Sequence, residues 1–173
     1  MNNFGRIVKL SDFQFERVKY YSVHFESNDV NEFYDFLNRI EDIPGYEEDL
    51  DNLIIWIDEI GKKYGAIPSF FRNESETADL RALPPPNRKM KFHEIEVHNL
   101  RLYCMVLNES VVILLNGGIK TTNKAQDCPN VSRYFKQGNI IAQIIDSLFI
   151  SGDIQWNKDY TDICFDQNME IEI

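Results

Sequence analysis

The sequence predicts an α+β domain, in which helices precede a run of hairpin-linked strands instead of alternating with them. Two amphipathic helical patterns lie within residues 29–65. Two strands with two-residue hairpin spacing follow at 100–107 and 110–116, and a long helical pattern at 131–149 comes after them. Helices grouped ahead of paired strands favour an α+β fold over a parallel α/β sheet.

Length and composition predict one globular domain. The chain has 173 residues, and 43% of them are hydrophobic, which is enough to bury a core. We expect a single domain over residues 1–150 with its core at 17–149, followed by an acidic extension at 151–173 that forms one or two short strands or is only partly ordered. The sequence has no bilayer-length apolar stretch and no signal-peptide pattern at its start, so we expect a cytoplasmic protein without membrane contact.

The first half of the chain predicts a strand and two helices. Residues 17–26 (RVKYYSVHFE) are rich in aromatic and β-branched types, which favours a strand, and an earlier short strand at 6–10 is possible. The first helix has Asp29 as its predicted N-cap, with Glu32 three residues later. Its predicted apolar face carries Val30, Phe33, Phe36, Leu37 and Ile40. The second helix pattern, at 46–65, has acids in its first turn and glycines and lysines at its end.

The second half predicts a short strand, a loop, the hairpin and the last helix. The strand at 79–83 should end at three successive prolines, and we expect a basic loop at 84–90. The glycine pair 117–118 suggests a tight exit or bulge after the second hairpin strand. Asn130 is the predicted N-cap of the helix at 131–149.

Positive charge is concentrated in the middle of an acidic chain. The net charge is −10, which argues against nonspecific attraction of the whole molecule to nucleic acid. Residues 62–136 nevertheless carry 12 Lys and Arg against 7 Asp and Glu, a net charge of +5. The basic side chains of interest lie on the predicted strands and loops of this segment, at Arg81, Arg88, Lys89, Lys91, Arg101, Lys120 and Lys124.

Two of these arginines could form a phosphate clamp. Side chains alternate across a strand, so one face of the strand at 100–107 should carry Leu100, Leu102, Cys104 and Val106 and the other Arg101, Tyr103, Met105 and Leu107. Arg101 should therefore point away from the face of Leu100 and could stand beside Arg81 on a neighbouring strand. Guanidinium groups and lysines together would match the oxygens of a phosphate. The alternative is that each arginine pairs with an acid, for example Glu94 or Glu96.

Other kinds of site have little support in the sequence. The segment GGIKTTNK lacks the glycine spacing of a P-loop, which argues against nucleotide hydrolysis. The histidines have no metal-ligand spacing, and the three cysteines form neither a disulfide framework nor a zinc motif, so we expect no metal and no cofactor. His98 lies just before the hairpin and is a candidate for acid or base chemistry, although a surface histidine is the simpler interpretation.

The segments TADLRALPPP, LRLYCMVL and SVVILLNGGIKTTNKAQDCP, followed by a long helix, resemble the core of the RelE/HigB superfamily of toxins from toxin-antitoxin systems, particularly its phage-derived branch. The resemblance covers residues 66–148. It implies a compact fold with two N-terminal helices and a C-terminal helix on a small curved antiparallel sheet. The sequence departs from the family pattern at Thr121, where a second lysine is usual, and in the long AQDCP segment.

The resemblance also implies a function, namely ribosome-dependent and metal-independent cleavage of messenger RNA that inhibits translation. It implies that Arg81 and Arg101 clamp phosphate and that Lys120 and Lys124 bind RNA or lower the barrier electrostatically; Tyr103 and His98 are nearby candidates for proton transfer. We also expect the basic residues after the short strand, Arg88, Lys89 and Lys91, to bind RNA. The implied partners are a cognate antitoxin of the helix-turn-helix kind, the ribosome and its message. Two alternatives stay open: a non-catalytic protein-binding module of the same fold, and a gyrase-targeting ParE-like toxin.

Overall fold

A mixed seven-stranded sheet lies between two layers in the computed structural model, which describes residues 2–74 and 79–173. The strands are β1 (Phe4–Gln14), β2 (Lys19–Phe25), β3 (Arg72–Asn73), β4 (Leu80–Leu83), β5 (Leu100–Asn108), β6 (Val111–Ile119), β7 (Ile154–Trp156), β8 (Ile163–Phe165) and β9 (Ile171–Glu172). The α-helices are α1 (Glu32–Glu41), α2 (Glu47–Glu59), α3 (Asn87–His93) and α4 (Ser132–Ser151). A π-helical turn, Ile60–Tyr64, continues α2 and ends at Gly65, whose φ is +79°.

The order of strands in the sheet is β3-β4-β5-β6-β2-β1-β9. Neighbouring strands are antiparallel, except that β2 runs parallel to β6, where Lys19 pairs with Val111 and Tyr21 with Ile113. Strands β7 and β8 form a separate two-stranded sheet. This parallel pair makes the sheet mixed. Between β2 and β6 the chain passes through α1, α2 and α3 and through strands β3, β4 and β5.

Each face of the large sheet buries its own hydrophobic core. One face, here called the α1–α3 face, packs against α1, α2 and α3 through residues such as Phe36, Trp56 and Met90. The opposite α4 face packs against α4 and the β7–β8 hairpin, for example at Ile145. Because both faces are covered, the inner strands β5 and β6 are almost continuously apolar.

Alternation along β5 follows the prediction from sequence. Leu100, Leu102 and Cys104 point into the α1–α3 core, whereas Tyr103 and Met105 point into the α4 core. The sequence therefore predicted correctly which side chains share each face of this strand.

The predicted fold, a small antiparallel RelE-like sheet with two N-terminal helices and one C-terminal helix, is wrong. The chain is α+β, but it has a larger, mixed sheet and four α-helices. The short strand expected at 6–10 is part of an 11-residue β1, and β9 adds a further strand from the C-terminal segment. The sheet extends past β2 because β1 pairs with β2 over most of that strand's length.

Three local predictions also need correction. The basic loop expected at 84–90 contains the start of α3, which begins directly after Pro86, because proline is compatible with a helix start although it breaks a sheet. The α1 N-cap is Asn31, whose side chain accepts a hydrogen bond from the Tyr34 N–H at 3.0 Å, and not Asp29. Asn130 does not cap α4, which begins after Val131 without a side-chain cap.

The C-terminal segment 151–173 is folded onto the domain. Besides β7, β8 and β9, it supplies Ile154, Ile163 and Ile171 to the core on the α4 face. Among the described residues, no helix combines the length and apolar character needed to cross a membrane.

Candidate functional site

Two cations from neighbouring strands converge on one carboxylate beside the α4 face. Arg101 Nε, on β5, donates to Glu74 Oε1 at 3.3 Å, and Lys120 Nζ, just after β6, donates to Glu74 Oε2 at 3.1 Å. All three side chains are largely buried, with exposed fractions of 14% for Arg101, 11% for Lys120 and 7% for Glu74. We call this group the Glu74 cluster. The two cations hold the two oxygens of one anion, which is also how they would hold a phosphate.

Arg72, on β3, lies next to the Glu74 cluster. Its guanidinium donates to the backbone oxygens of Pro84 and Pro85 and to Asn87 Oδ1, at 2.9, 3.0 and 2.9 Å. Burial and the nearby charge of Arg101 lower the pKa of Arg72 to about 10, against the opposing effect of Glu74. Glu74 thus stands among three positive groups, so this end of the sheet is electropositive in an acidic protein.

The Tyr103 hydroxyl is buried near the cluster without a hydrogen-bond partner among the described residues. Its pKa is raised, first by burial and then by the charge of Glu74, so the phenol keeps its proton. A protonated, unpaired hydroxyl can donate a hydrogen bond or a proton but is a poor base.

Cys128 holds the loop after β6 against the same region. Burial acts to raise the pKa of its thiol, but hydrogen bonds from Thr121 and from the N–H groups of Asn130 and Val131 outweigh this effect and lower the pKa to about 7. The sulfur accepts from the Thr121 N–H at 3.4 Å and donates to the Ile119 carbonyl at 3.7 Å. These contacts fix the path of the chain that carries Lys120.

Arg81 and Arg101 do not form a shared clamp. In the β4–β5 register Arg81 lies opposite Cys104, a residue of the α1–α3 core, so Arg81 is on that face. Arg101 is three residues from Cys104 on the same strand and therefore points to the opposite, α4 face. The two strands are neighbours, as predicted, but the register places the two arginines on opposite faces. The alternative prediction, that an acid pairs with each arginine, holds for Arg101, with Glu74 in place of Glu94 or Glu96.

The remaining predicted residues lie in other places. His98 Nδ1 is 3.1 Å from Asp49 Oδ1 of α2, so it faces the α1–α3 layer and not Tyr103. Lys124 is exposed on the loop that follows Lys120. The resemblance motif also includes Thr77 and Ala78, which lie outside the described residues.

Helix α3 presents an exposed basic and aromatic surface. Arg88 and Lys91 are exposed, and Phe92, directly after Lys91, is 81% exposed. Lys89 instead covers the Phe70 ring, at 4.7 Å from its centroid. Arg72 joins this helix to the Glu74 cluster through Asn87, so the two basic regions adjoin. An exposed ring beside cations is a surface on which a nucleic-acid base can stack.

A buried polar network holds α1 against β6 on the α1–α3 face. Asn116 Nδ2 donates to Glu32 Oε2 at 3.1 Å and to Asp35 Oδ2 at 2.8 Å, and Asn116 Oδ1 accepts from the Gly117 N–H at 2.8 Å and from Arg39. Asn116 and Glu32 are each 3% exposed. Burial raises the pKa of Glu32, and the hydrogen bond from Asn116 partly offsets this.

A carboxyl pair, Asp79 and Asp146, lies where the start of β4 meets α4. It lines a cavity of about 380 Å³ together with Phe149 and Trp156. Burial, and then the hydrogen bond and charge of Asp79, raise the pKa of Asp146 to about 6.

Replacing Asp146 with asparagine is expected to stabilise the protein at neutral and alkaline pH. Folding raises the pKa of Asp146, so the folded protein favours the protonated carboxyl over the ionised one. As the pH rises through about 6 the carboxyl ionises in the folded protein, and the free energy of unfolding falls. The pair is partly open to solvent, so we expect a gain of about 1 kcal/mol in the free energy of unfolding at about pH 8, vanishing near pH 4. Denaturant unfolding at both pH values measures it, with Asp159→Asn as the exposed control; a gain that does not depend on pH contradicts the prediction.

Sequence reasoning missed Glu74, Arg72 and Phe92. Nothing in the local pattern marks Glu74 as the partner of Arg101 and Lys120, since the contact depends on the order of strands. Phe92 follows a basic run and would have been noticed if that run had been assigned to a helix. Within residues 2–74 and 79–173 no cluster of three or more His, Cys, Asp or Glu side chains has the geometry of a metal site.

Comparisons with known proteins find no match for this chain among protein families, curated proteins or solved structures.

Proposed function

We propose that the chain is an RNA-binding toxin that inhibits translation, and that the Glu74 cluster is its phosphate site. The observation that carries the proposal is the convergence of Arg101 and Lys120 on the two oxygens of one buried carboxylate. In the proposed complex an RNA phosphate replaces the Glu74 carboxylate, so one anion is exchanged for another. The proposal keeps the activity that the RelE/HigB resemblance implies, without its small antiparallel sheet.

The proposed reaction is metal-independent cleavage of messenger RNA on the ribosome. The RNA 2′-hydroxyl gives up its proton to water and attacks the adjacent phosphate. A bond between the 2′-oxygen and phosphorus forms while the bond from phosphorus to the 5′-oxygen breaks, which leaves a 2′,3′-cyclic phosphate and, after protonation of the leaving oxygen, a 5′-hydroxyl. Arg101 and Lys120 stabilise the negative charge that develops on the phosphate oxygens. Tyr103 retains its proton and can donate a hydrogen bond to a phosphate that replaces Glu74, but its raised pKa makes it a weak acid, so water protonates the leaving oxygen. Arg81 and His98 lie elsewhere and take no part.

The surface of α3 supports binding of a longer RNA segment. Arg88 and Lys91 supply positive charge, and Phe92 offers a ring for stacking, next to the Arg72 side of the cluster. Lys124 extends the positive charge on the other side. The proposed partners are the ribosome with its message and, as an inhibitor, a small helix-turn-helix antitoxin.

Arg101→Ala and Lys120→Ala are each expected to abolish toxicity. Induced expression of the native chain in bacteria should arrest growth with cut messages, and loss of either cation should lower the cleavage rate by at least about 100-fold, because each stabilises charge in the transition state. Bulk translation and message integrity are the measurements. Lys63→Ala, which removes an exposed lysine paired with Glu59, is the matched control and should remain toxic.

A purified variant tests the phosphate site without the ribosome. Glu74→Gln leaves Arg101 and Lys120 without their carboxylate, so its free energy of unfolding should fall by about 2 kcal/mol. Inorganic phosphate should restore much of this loss, because a ligand that binds only the folded state stabilises it. The proposed site is contradicted if phosphate stabilises Glu74→Gln no more than it stabilises the native chain. It is also contradicted if Arg101→Ala and Lys120→Ala are both as toxic as the native chain.

A non-catalytic protein-binding module is the second candidate. Its support is that Glu74 already neutralises the two cations and that α2 begins with three acids, Glu47, Glu48 and Asp49. Cells that express the native chain and remain healthy, with intact messages, would favour it. A basic protein partner would then bind in a salt-sensitive manner that Arg101→Ala does not change.

A further inference from the structure

A groove of about 830 Å³ runs between β1 and the C-terminal segment, far along the sheet from the Glu74 cluster. Residues 6–9 of β1 and residues 163–165 of β8 line it. Gln167 and Asn168, in the segment that leads to β9, also line it, so the groove reaches the outer edge of β1. Its inner side is lined by residues of β2 and the residue directly after it, Tyr21, His24, Phe25 and Glu26. We call this groove, bounded by residues 6–9 and 163–165, the edge slot.

The outer edge of β1 is covered by a strand only at its beginning. Strand β9 pairs with Phe4 and Gly5, whereas β1 has 11 residues. Asn3 and Ile173 exchange two backbone hydrogen bonds of 3.0 Å, and the Phe4 carbonyl accepts on the opposite side from the N–H of Glu26, the residue after β2. Residues of odd number in this part of β1 therefore direct their backbone groups outward.

By the same alternation, Ile7 and Lys9 present their N–H and C=O groups to the edge slot beyond the end of β9. Within the described part of the chain, β1 pairs with no strand other than β2 and β9. These are free positions at which an added strand would continue the ladder of β9, antiparallel to β1.

The side chains around the edge slot determine what such a strand must carry. Its floor is apolar, with Ile7, Tyr21 and Ile163 each at most 6% exposed. Arg6 and Lys9 flank the edge in half-exposed ion pairs, with Glu170 at 3.3 Å and Asp162 at 3.1 Å. Exposed pairs of this kind contribute about 0.5 kcal/mol each, so carboxylates on a ligand can replace them.

We propose that the edge slot binds an extended segment of a partner protein as an added β-strand, with an apolar inner face and carboxylates opposite Arg6 and Lys9. Because Arg6 and Lys9 are three residues apart on one strand, the two acids are also three residues apart and point to opposite faces. The acid opposite Lys9 therefore stands on the same face as the apolar residues that contact Ile7, and the acid opposite Arg6 stands on the other face. The inference does not depend on the RNA function, since the edge slot and the Glu74 cluster share no residue.

Hydrogen exchange with a synthetic peptide tests the proposal. The probe is a capped peptide of about eight residues, alternating valine and threonine, with two glutamates three positions apart. Its binding should slow exchange of the Ile7 and Lys9 amides about tenfold. The Arg6 and Val8 amides, which face β2, are the internal control and should not change. Absence of protection at both Ile7 and Lys9 overturns the proposal.

Two matched controls test the charge requirement. The same peptide with lysines in place of both glutamates should bind the native chain at least about tenfold more weakly. Arg6→Glu combined with Lys9→Glu should reverse this preference, and both positions are exposed enough for the variant to fold. Equal protection by the two peptides overturns the assignment of an acidic ligand.

Discussion

Gly117→Ala is expected to lower the free energy of unfolding by about 3 kcal/mol or more. A Cβ at this position would overlap the carbonyl oxygen of Arg101 and stand 2.8 Å from its carbonyl carbon and 3.1 Å from the Leu102 Cα. These are backbone atoms of the neighbouring strand, so no side-chain rotation removes the overlap, and β5 and β6 must move apart.

Gly45→Ala is the matched control for this experiment. Gly45 has φ of +93° but no atom within 4 Å of an added Cβ, so the cost there is the backbone conformation alone, about 1 kcal/mol. Urea unfolding of both variants and the native chain measures the difference. If Gly117→Ala is no less stable than Gly45→Ala, the close approach of the two strands at Gly117 is contradicted.

Asn116→Leu is expected to cost about 3 kcal/mol and to cost more at alkaline than at acidic pH. The substitution removes the hydrogen-bond donor of the buried Glu32 carboxylate and an acceptor of Arg39 and the Gly117 N–H. Without that donor the pKa of Glu32 rises further above its ordinary range. A carboxyl whose pKa is raised on folding destabilises the protein as the pH increases through that pKa, so the deficit should shrink at low pH.

Asn52→Ala provides the comparison for Asn116→Leu. Asn52 makes one hydrogen bond at the periphery, to the Glu96 carbonyl at 2.8 Å, so its loss should cost about 1 kcal/mol with little pH dependence. Unfolding curves at about pH 5 and about pH 8 separate the two cases. A deficit for Asn116→Leu that is the same at both pH values would contradict a charged Glu32 in the network.

The parts of the fold that were predictable from the sequence depend on local periodicity. Alternation in β5 assigned Leu102 and Tyr103 to opposite faces, and the helical spacing of Phe33, Phe36 and Ile40 marked the buried side of α1. These patterns can be interpreted without knowing the fold, because the regular geometry of a helix or strand alone determines which of its residues share a face.

The parts that were not predictable depend on which strands become neighbours. The position of Arg81 depends on the β4–β5 register, and the partner of Arg101 and Lys120 comes from a residue next to β3. The glycine pair 117–118 suggested a tight strand exit or a bulge; both residues lie inside β6, and the β5–β6 register shifts between Leu102 and Cys104, next to Gly117, which fits the bulge. A neighbouring backbone approaches each glycine too closely for a side chain. Local sequence carries no information on such contacts.

The parallel pairing of β2 with β6 has a consequence for how the chain folds. The centre of the sheet forms only when residues 19–21 of β2 pair with residues 111–113 of β6, which are synthesised much later. Until then the β1–β2 hairpin has an open inner edge, and α1 lacks the Asn116 side chain that binds its acids. Contacts between such distant parts of the chain slow folding, so we expect the β5–β6 hairpin to form early and the N-terminal hairpin to join it late. During synthesis, the unpaired edge of β2 would be the segment most in need of protection from aggregation.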